Sequence, residues 1–256
     1  MCEFVTGSST WTTERLEALR RQSRATGEAS IPVQSAVSGE EYAQLAGATE
    51  ADVAAAVADA REAAAAWRER PVAERAAVLD AVADEILDAT GPLADLVQLE
   101  TGKARRDAVE EVFDVAVTAG YYADTAAEVL ADERRRGAVP GVIRADVYHH
   151  PVGVVGLIAP WNYPLTLAIS DALPALVAGN AVVCKPAEET THVALYARKL
   201  LTDAGVPPEL FQIVTGRGPA VGPPLIESVD YVAFTGSTET GRTVAAQAGE
   251  QLVPVS

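Results

Sequence analysis

Three short stretches of this sequence carry residues that can do chemistry. In Lys185-Pro186-Ala187-Glu188, a cation and a carboxylate stand three positions apart behind a short apolar run. Such a pair can hydrogen-bond the hydroxyls of a ribose, and a carboxylate there repels a 2′-phosphate, which favours NAD over NADP. A strand end with a solvated helix cap accounts for this stretch at least as well when it is taken alone. In Gly236-Ser237-Thr238-Glu239-Thr240-Gly241, a glycine permits a tight turn and hydroxyl residues precede a helix whose first N–H groups would face a phosphate. Thr238 stands where the G-x-G-x-x-G fingerprint has its second glycine, so a glycine-punctuated turn with a Ser or Thr helix cap is an equal account. Extended to Arg242-Thr243, the stretch approximates the P-loop pattern with Arg in place of its lysine. That lysine is the group that reaches the terminal phosphates, so an NTPase is the weaker rival. In Pro160-Trp161-Asn162-Tyr163-Pro164, two prolines stiffen a turn and hold the Asn162 amide, whose N–H donors suit an oxyanion. An Asx turn that caps the next helix is the alternative.

The elements that must position these residues fall into two kinds. Residues 1–48 show weak periodicity apart from a polar helical stretch at 14–24. Helices are expected over 49–70, where Thr49 and Asp52 make a cap-like start, then over 72–89, 93–100 and 105–130, with Gly91-Pro92 as a break. Residues 142–150 alternate like an exposed strand. Strands and helices then take turns: strand 152–158 with helix 165–177, strand 181–184 with helix 191–204, strand 211–214 with helix 219–227, strand 231–234 with helix 238–248, and a last strand from about 252. This rhythm predicts an α/β fold, an open parallel Rossmann-like sheet with helices on both faces, preceded by packing helices and a protruding β-hairpin. Ligands of such sheets bind at the carboxyl ends of the strands, and all three stretches follow a strand.

Composition narrows the partners. The formal net charge of −16 argues against nucleic acid and anionic membrane, both of which need basic patches. Only Lys103, Lys185 and Lys199 are lysines, so the acidic surface reads either as ordinary solvation or as adaptation to a salty cell interior. No apolar run reaches the length of a membrane span, and the first residues do not read as a signal peptide. Cys2 and Cys184 form no CxxC pair, which fits a reducing, cytoplasmic setting. His149, His150 and His192 show no metal-ligand spacing, and no metal is expected.

Taken together and in this order, the three stretches resemble the aldehyde dehydrogenase superfamily. Further stretches agree: Leu99-Glu100-Thr101-Gly102-Lys103 with Glu110-Glu111-Val112, His150-Pro151-Val152-Gly153-Val154-Val155-Gly156, the helix from Asp171 to Asn180, and Val214-Thr215-Gly216 with Gly218 and Gly222. The wording of residues 151–180 is most similar to succinate-semialdehyde dehydrogenases. The resemblance implies NAD(P)-dependent oxidation of a small aldehyde to its acid, such as succinate semialdehyde to succinate. Asn162 would be the oxyanion donor and Trp161 would lie at the nicotinamide end. Lys185 and Glu188 would hold the adenosine ribose, and Gly236 and Ser237 would receive the pyrophosphate. Ile158, Gly218, Gly222, Phe234 and Thr240 would complete the cofactor site, NAD being expected and NADP possible. Thr240 stands where the family usually has an apolar residue. Residues 1–137 would be the helical part of the cofactor-binding domain, 138–151 the hairpin through which family members form homo-oligomers, and 152–256 the Rossmann-like region.

The same resemblance implies a cysteine nucleophile and a glutamate base for the thioester chemistry, both expected beyond residue 256. Cys184 sits in an apolar strand and reads as a packing residue. The sequence is therefore expected to be a truncated cofactor-binding half, inactive alone. The alternatives are a non-catalytic NAD-binding remnant or a split-gene subunit.

Overall fold

The computed structural model describes residues 10–139 and 141–256; Cys2 lies outside them. The chain opens with α1 (Thr13–Arg20), then an antiparallel pair β1 (Ser30–Gln34) and β2 (Glu41–Ala46). Four helices follow: α2 (Glu50–Trp67), α3 (Val72–Asp88), α4 (Thr90–Thr101) and α5 (Arg105–Val129). Thr49 and Asp52 form a reciprocal capping box at the start of α2: the Asp52 N–H donates to Thr49 Oγ1 at 3.1 Å and the Thr49 N–H to Asp52 Oδ2 at 2.8 Å. The break between α3 and α4 falls at Ala89, and Gly91-Pro92 lie in the first turn of α4. No N–H is needed by the helix at that point, so Pro92 is accommodated.

An exposed two-stranded arm comes next, β3 (Glu133–Arg136) paired with β4 (Arg144–Val147). The rest of the chain builds the parallel sheet. β5 (Val154–Ile158) leads through α6 (Pro164–Ile169) and α7 (Ala172–Val177) to β6 (Ala181–Lys185). A 3₁₀ turn at Glu188–Thr190 and α8 (Thr191–Asp203) lead to β7 (Phe211–Ile213). Then α9 (Gly218–Ser228) leads to β8 (Tyr231–Phe234) and α10 (Thr238–Glu250). The helix expected over 165–177 is two short helices. Pro174 removes one N–H, and its ring collides with the carbonyl four residues back at Ser170, which is where the first helix stops. The backbone after Leu252 returns alongside β8, where the Val232 N–H donates to Pro254 O at 2.9 Å and the Ser256 N–H to Val232 O at 3.0 Å.

The strand order is β7-β6-β5-β8, all parallel. Helices cover both faces. An added Cβ at Gly156 of β5 would meet Leu225 and Val229, on the side of α9, while Val155, Tyr231 and Ala233 share a hollow with Ala175 of α7 on the other side. α2 packs on α9, and α3, α4 and α5 pack on α6, α7 and α8. Trp67, fully buried at the end of α2, donates its indole N–H to Leu176 O at 2.7 Å and fastens the outer helices to the sheet layer. Removing a ring buried in this way costs about 3–5 kcal/mol.

Candidate functional site

The chain runs outward from β5 to β6 to β7 and then returns to the other side of β5 for β8. The carboxyl ends of β5 and β8 therefore flank a topological switch point, where an open α/β sheet leaves a crevice. The register aligns Ile158 of β5 with Lys185 of β6 on one side and with Phe234 of β8 on the other. Beyond these ends the backbone is tied across the crevice, the Ala159 N–H donating to Lys185 O and the Thr235 N–H to Ile158 O, both at 3.1 Å.

A cleft of about 680 Å³ lies over this point, a volume suited to a cofactor-sized ligand. Its wall includes Ile158, Trp161, Lys185, Glu188, Gly218, Gly222, Phe234, Gly236, Ser237 and Thr240. The structure thus brings together on one wall all ten residues to which the sequence assigns cofactor contact. Lys185 is almost wholly buried; its Nζ donates to Pro186 O at 2.9 Å and lies 3.3 Å from Glu188 Oε2. Added Cβ atoms at Gly218 and Gly222 would meet no atom, so these glycines leave the floor of the cleft open. Ser237 caps α10, its Oγ accepting the Thr240 N–H at 3.1 Å and lying 2.9 Å from Thr240 Oγ1. The helix-cap account of this turn is therefore correct as far as it goes. It leaves the first N–H groups of α10 without a carbonyl one turn back, at the mouth of the cleft.

Over residues 23–256 the chain matches the model of the aldehyde dehydrogenase family. The chain belongs to that family. It is 47% identical over 227 residues to a Mycolicibacterium smegmatis protein named as a succinate-semialdehyde dehydrogenase [NADP(+)], covering 89% of this chain and 44% of that one. It is 39% identical to the fluoroacetaldehyde dehydrogenase of Streptantibioticus cattleyicolor, covering 86% and 43%. The crystal structure of betaine aldehyde dehydrogenase from Staphylococcus aureus in complex with NAD+ superposes with a TM-score of 0.85 at 27% identity, covering 95% of this chain and 51% of that one. This aldehyde dehydrogenase chain thus spans about half the length of the relatives it matches.

Three further placements bear on its chemistry. Asn162 is exposed in the turn between Trp161 and Tyr163, is not part of the cleft wall, and makes no hydrogen bond with the described residues. Arg242, the residue in the P-loop lysine position, is exposed and also absent from the wall. Cys184 is fully buried in β6; burial pushes its thiol up to about 12, with Lys185 pulling the other way and Asp171 adding to the rise. A thiol so placed is no nucleophile. Among the described residues, no group of three His, Cys, Asp or Glu is placed to hold a metal ion, and no helix is long and apolar enough to cross a membrane.

The cleft also contains residues that the sequence reading did not assign to a cofactor. Thr243, Val244 and Gln247 join Thr240 along one face of α10, and Glu189 and Glu239 add two carboxylates to the same wall as Glu188. The spacing i, i+3, i+4, i+7 from Thr240 was a usable signal, because it marks one side of a helix.

Proposed function

We propose that this chain binds NAD+ in the cleft at the sheet switch point and serves an enzyme that oxidises a small aldehyde to its carboxylic acid, of the succinate-semialdehyde type. The observation that carries the reading is the convergence of ten sequence-assigned residues on one cleft at the carboxyl ends of β5, β6 and β8. Lys185 and Glu188 hold the adenosine ribose hydroxyls. Gly236, Ser237 and the start of α10 face the pyrophosphate, where N–H groups and the helix dipole favour negative charge. Trp161 stands toward the nicotinamide end, and the unengaged Asn162 amide is the donor for an oxyanion on the substrate carbon. NAD+ supplies the hydride acceptor. Among the described residues of the wall, Glu188, Glu189 and Glu239 oppose one cation, Lys185, which disfavours a 2′-phosphate and a triphosphate alike. We therefore favour NAD, although the M. smegmatis relative is named for NADP(+). Cys184, buried in β6, does not supply the nucleophile. The β3–β4 arm, with exposed Val142, Ile143 and Tyr148, supports association into a homo-oligomer, and the acidic surface with unpaired cysteine usage supports a cytoplasmic setting.

Calorimetric titration with NAD+, NADP+ and Mg-ATP tests the reading. Saturable binding of NAD+, weaker for NADP+ and lost in Lys185→Ala or Ser237→Ala, is expected. A folded chain that binds neither dinucleotide would overturn it, and preference for Mg-ATP would favour the P-loop alternative.

A further inference from the structure

Among the described residues, two glutamates are wholly buried outside the cleft, on either side of the left-handed turn at Gly102 (φ 72°). Glu100 lies at the end of α4 and Glu111 in the second turn of α5. They belong to the Glu100-Thr101-Gly102-Lys103 and Glu110-Glu111 stretches, to which the proposed chemistry gives no role. Glu100 Oε1 accepts the His192 N–H at 2.9 Å and the Tyr42 hydroxyl at 2.8 Å, and its Oε2 accepts the Val193 N–H at 2.9 Å. Glu111 Oε1 accepts the Leu165 N–H at 2.8 Å and the Thr166 N–H at 3.1 Å, and its Oε2 takes Lys103 Nζ at 2.6 Å.

The four backbone donors belong to the first turns of α8 and α6. These are the helices that leave the Lys185–Glu188 turn and the Trp161–Asn162 turn. A helix start has N–H groups with no intrahelical acceptor, and a buried carboxylate needs several donors, so each satisfies the other. Both cleft turns are thereby anchored from one helical hairpin outside the sheet. Lys103 adds a second hold on the Asn162 side, its Nζ lying 3.7 Å from the centre of the Tyr163 ring.

We propose that Glu100 and Glu111 are positioning residues of the cleft. Glu100 sets the Lys185–Glu188 turn, and Glu111 with Lys103 sets the Trp161–Asn162 turn. The ligand-binding half of this claim rests on the dinucleotide reading above; the geometric half does not. Glutamine is the informative replacement, because its amide nitrogen must face either a backbone N–H or the Lys103 ammonium, and one donor loses its acceptor.

The test combines titration of the whole chain with NAD+ and ADP-ribose and acrylamide quenching of Trp161 fluorescence. Trp161 is 60% exposed while Trp11 and Trp67 are 5% and 2% exposed, so quenching reports the turn. Glu100→Gln is expected to weaken both ligands about tenfold, the effect of one charge-assisted hydrogen bond, and to leave quenching unchanged. Glu111→Gln and Lys103→Met are expected to alter quenching without ligand and to leave ADP-ribose affinity unchanged. Folded variants with a lower Tm but wild-type affinity and quenching would overturn the proposal, since the carboxylates would then hold the fold alone. If Glu100→Gln does not fold, Glu100→Asp replaces it; loss of fold in both would make Glu100 a core residue and overturn its part. If the wild-type chain binds neither ligand, the dinucleotide reading fails, and unchanged quenching in folded Glu111→Gln would still overturn the positioning claim.

Discussion

Gly236→Ala separates the stability of this fold from its capacity to bind a dinucleotide. A Cβ at Gly236 would lie 2.5 Å from Phe234 Cζ and 3.1 and 3.3 Å from the two Cε atoms. Carbon contacts settle at about 3.5–4.0 Å, so the ring or the loop must give by about 1 Å. Phe234 is half-buried at the end of β8, so the ring can swing without tearing the core. The cost is then at the low end of the roughly 1–3 kcal/mol of overpacking. In a domain of this size each kcal/mol lowers Tm by about 2–4 °C. Binding suffers more, because Phe234, Gly236 and Ser237 all face the cleft. Hydrogen bonds of about 2.9 Å do not survive a shift of about 1 Å, and NAD+ affinity is expected to fall at least about tenfold. Gly249→Ala, at a position in α10 where a Cβ would meet no atom, is the control. It should stabilise by about 0.5–1 kcal/mol and leave affinity unchanged. Melting curves and calorimetry on the two variants decide the matter. A Gly236→Ala protein that melts lower yet binds NAD+ as tightly as wild type would refute the reasoning, because the turn would then not face the ligand.

Three other outcomes are expected. In a Cys2→Ser background, Cys184 should not react with Ellman's reagent at pH 8 until the protein is unfolded in urea, since its buried thiol is pushed up to about 12; rapid labelling of the native protein would contradict its placement. At Asp52, burial alone would raise the carboxyl, but hydrogen bonds from Thr49 and Thr26 outweigh it and bring the group from 3.8 down to about 2. A depressed acid stabilises fully above its unfolded value and loses that contribution as pH falls toward the folded one. Asp52→Ala should therefore cost about 1 kcal/mol at pH 7, a capping loss at a largely solvated site, and the difference should shrink between pH 4 and pH 2 in urea titrations. Glu188→Gln should raise NADP+ affinity relative to NAD+ by about tenfold in parallel titrations, the effect of removing one charge about 6 Å from a phosphate at intermediate dielectric; an unchanged ratio would place the 2′-hydroxyl elsewhere.

The parallel sheet was legible because its strands are short apolar runs with glycine and proline at their ends; β8 was read to the residue. β1 was not, because Pro32 interrupts it and only Ile31 and Val33 point inward. β3 consists of Glu133 and three arginines, all exposed, and is a strand only because residues 144–147 pair with it. In the site, residue type and spacing alone left each of the three stretches open to a turn or helix-cap reading. Their order along the chain, through the family resemblance, is what pointed to one cleft, and the structure lines that cleft with ten of their residues and neighbours. The spacing Thr240, Thr243, Val244, Gln247 marks one face of α10, but that this face borders the cleft depends on how the helix is turned above β8. The roles of Glu100 and Glu111 were hidden for a similar reason: their partners are backbone N–H groups 54 to 93 residues away.

The ties between the outer helical layer and the sheet also govern the order in which this chain can fold. The Arg24 N–H donates to Ile213 O at 2.9 Å, the Ala48 N–H to Thr215 O at 2.6 Å, and the Gln212 amide to Ala56 O at 3.0 Å. Each closes a loop of more than 150 residues, and such loops close late. During synthesis, helices α2 to α5 emerge before the strands that α2 packs on and before α6, α7 and α8, which cover α3 to α5, so part of their apolar surface is buried only once the later residues are in place. Refolding should accordingly be slow, with the amides of residues 24–48 among the last to gain protection from hydrogen exchange.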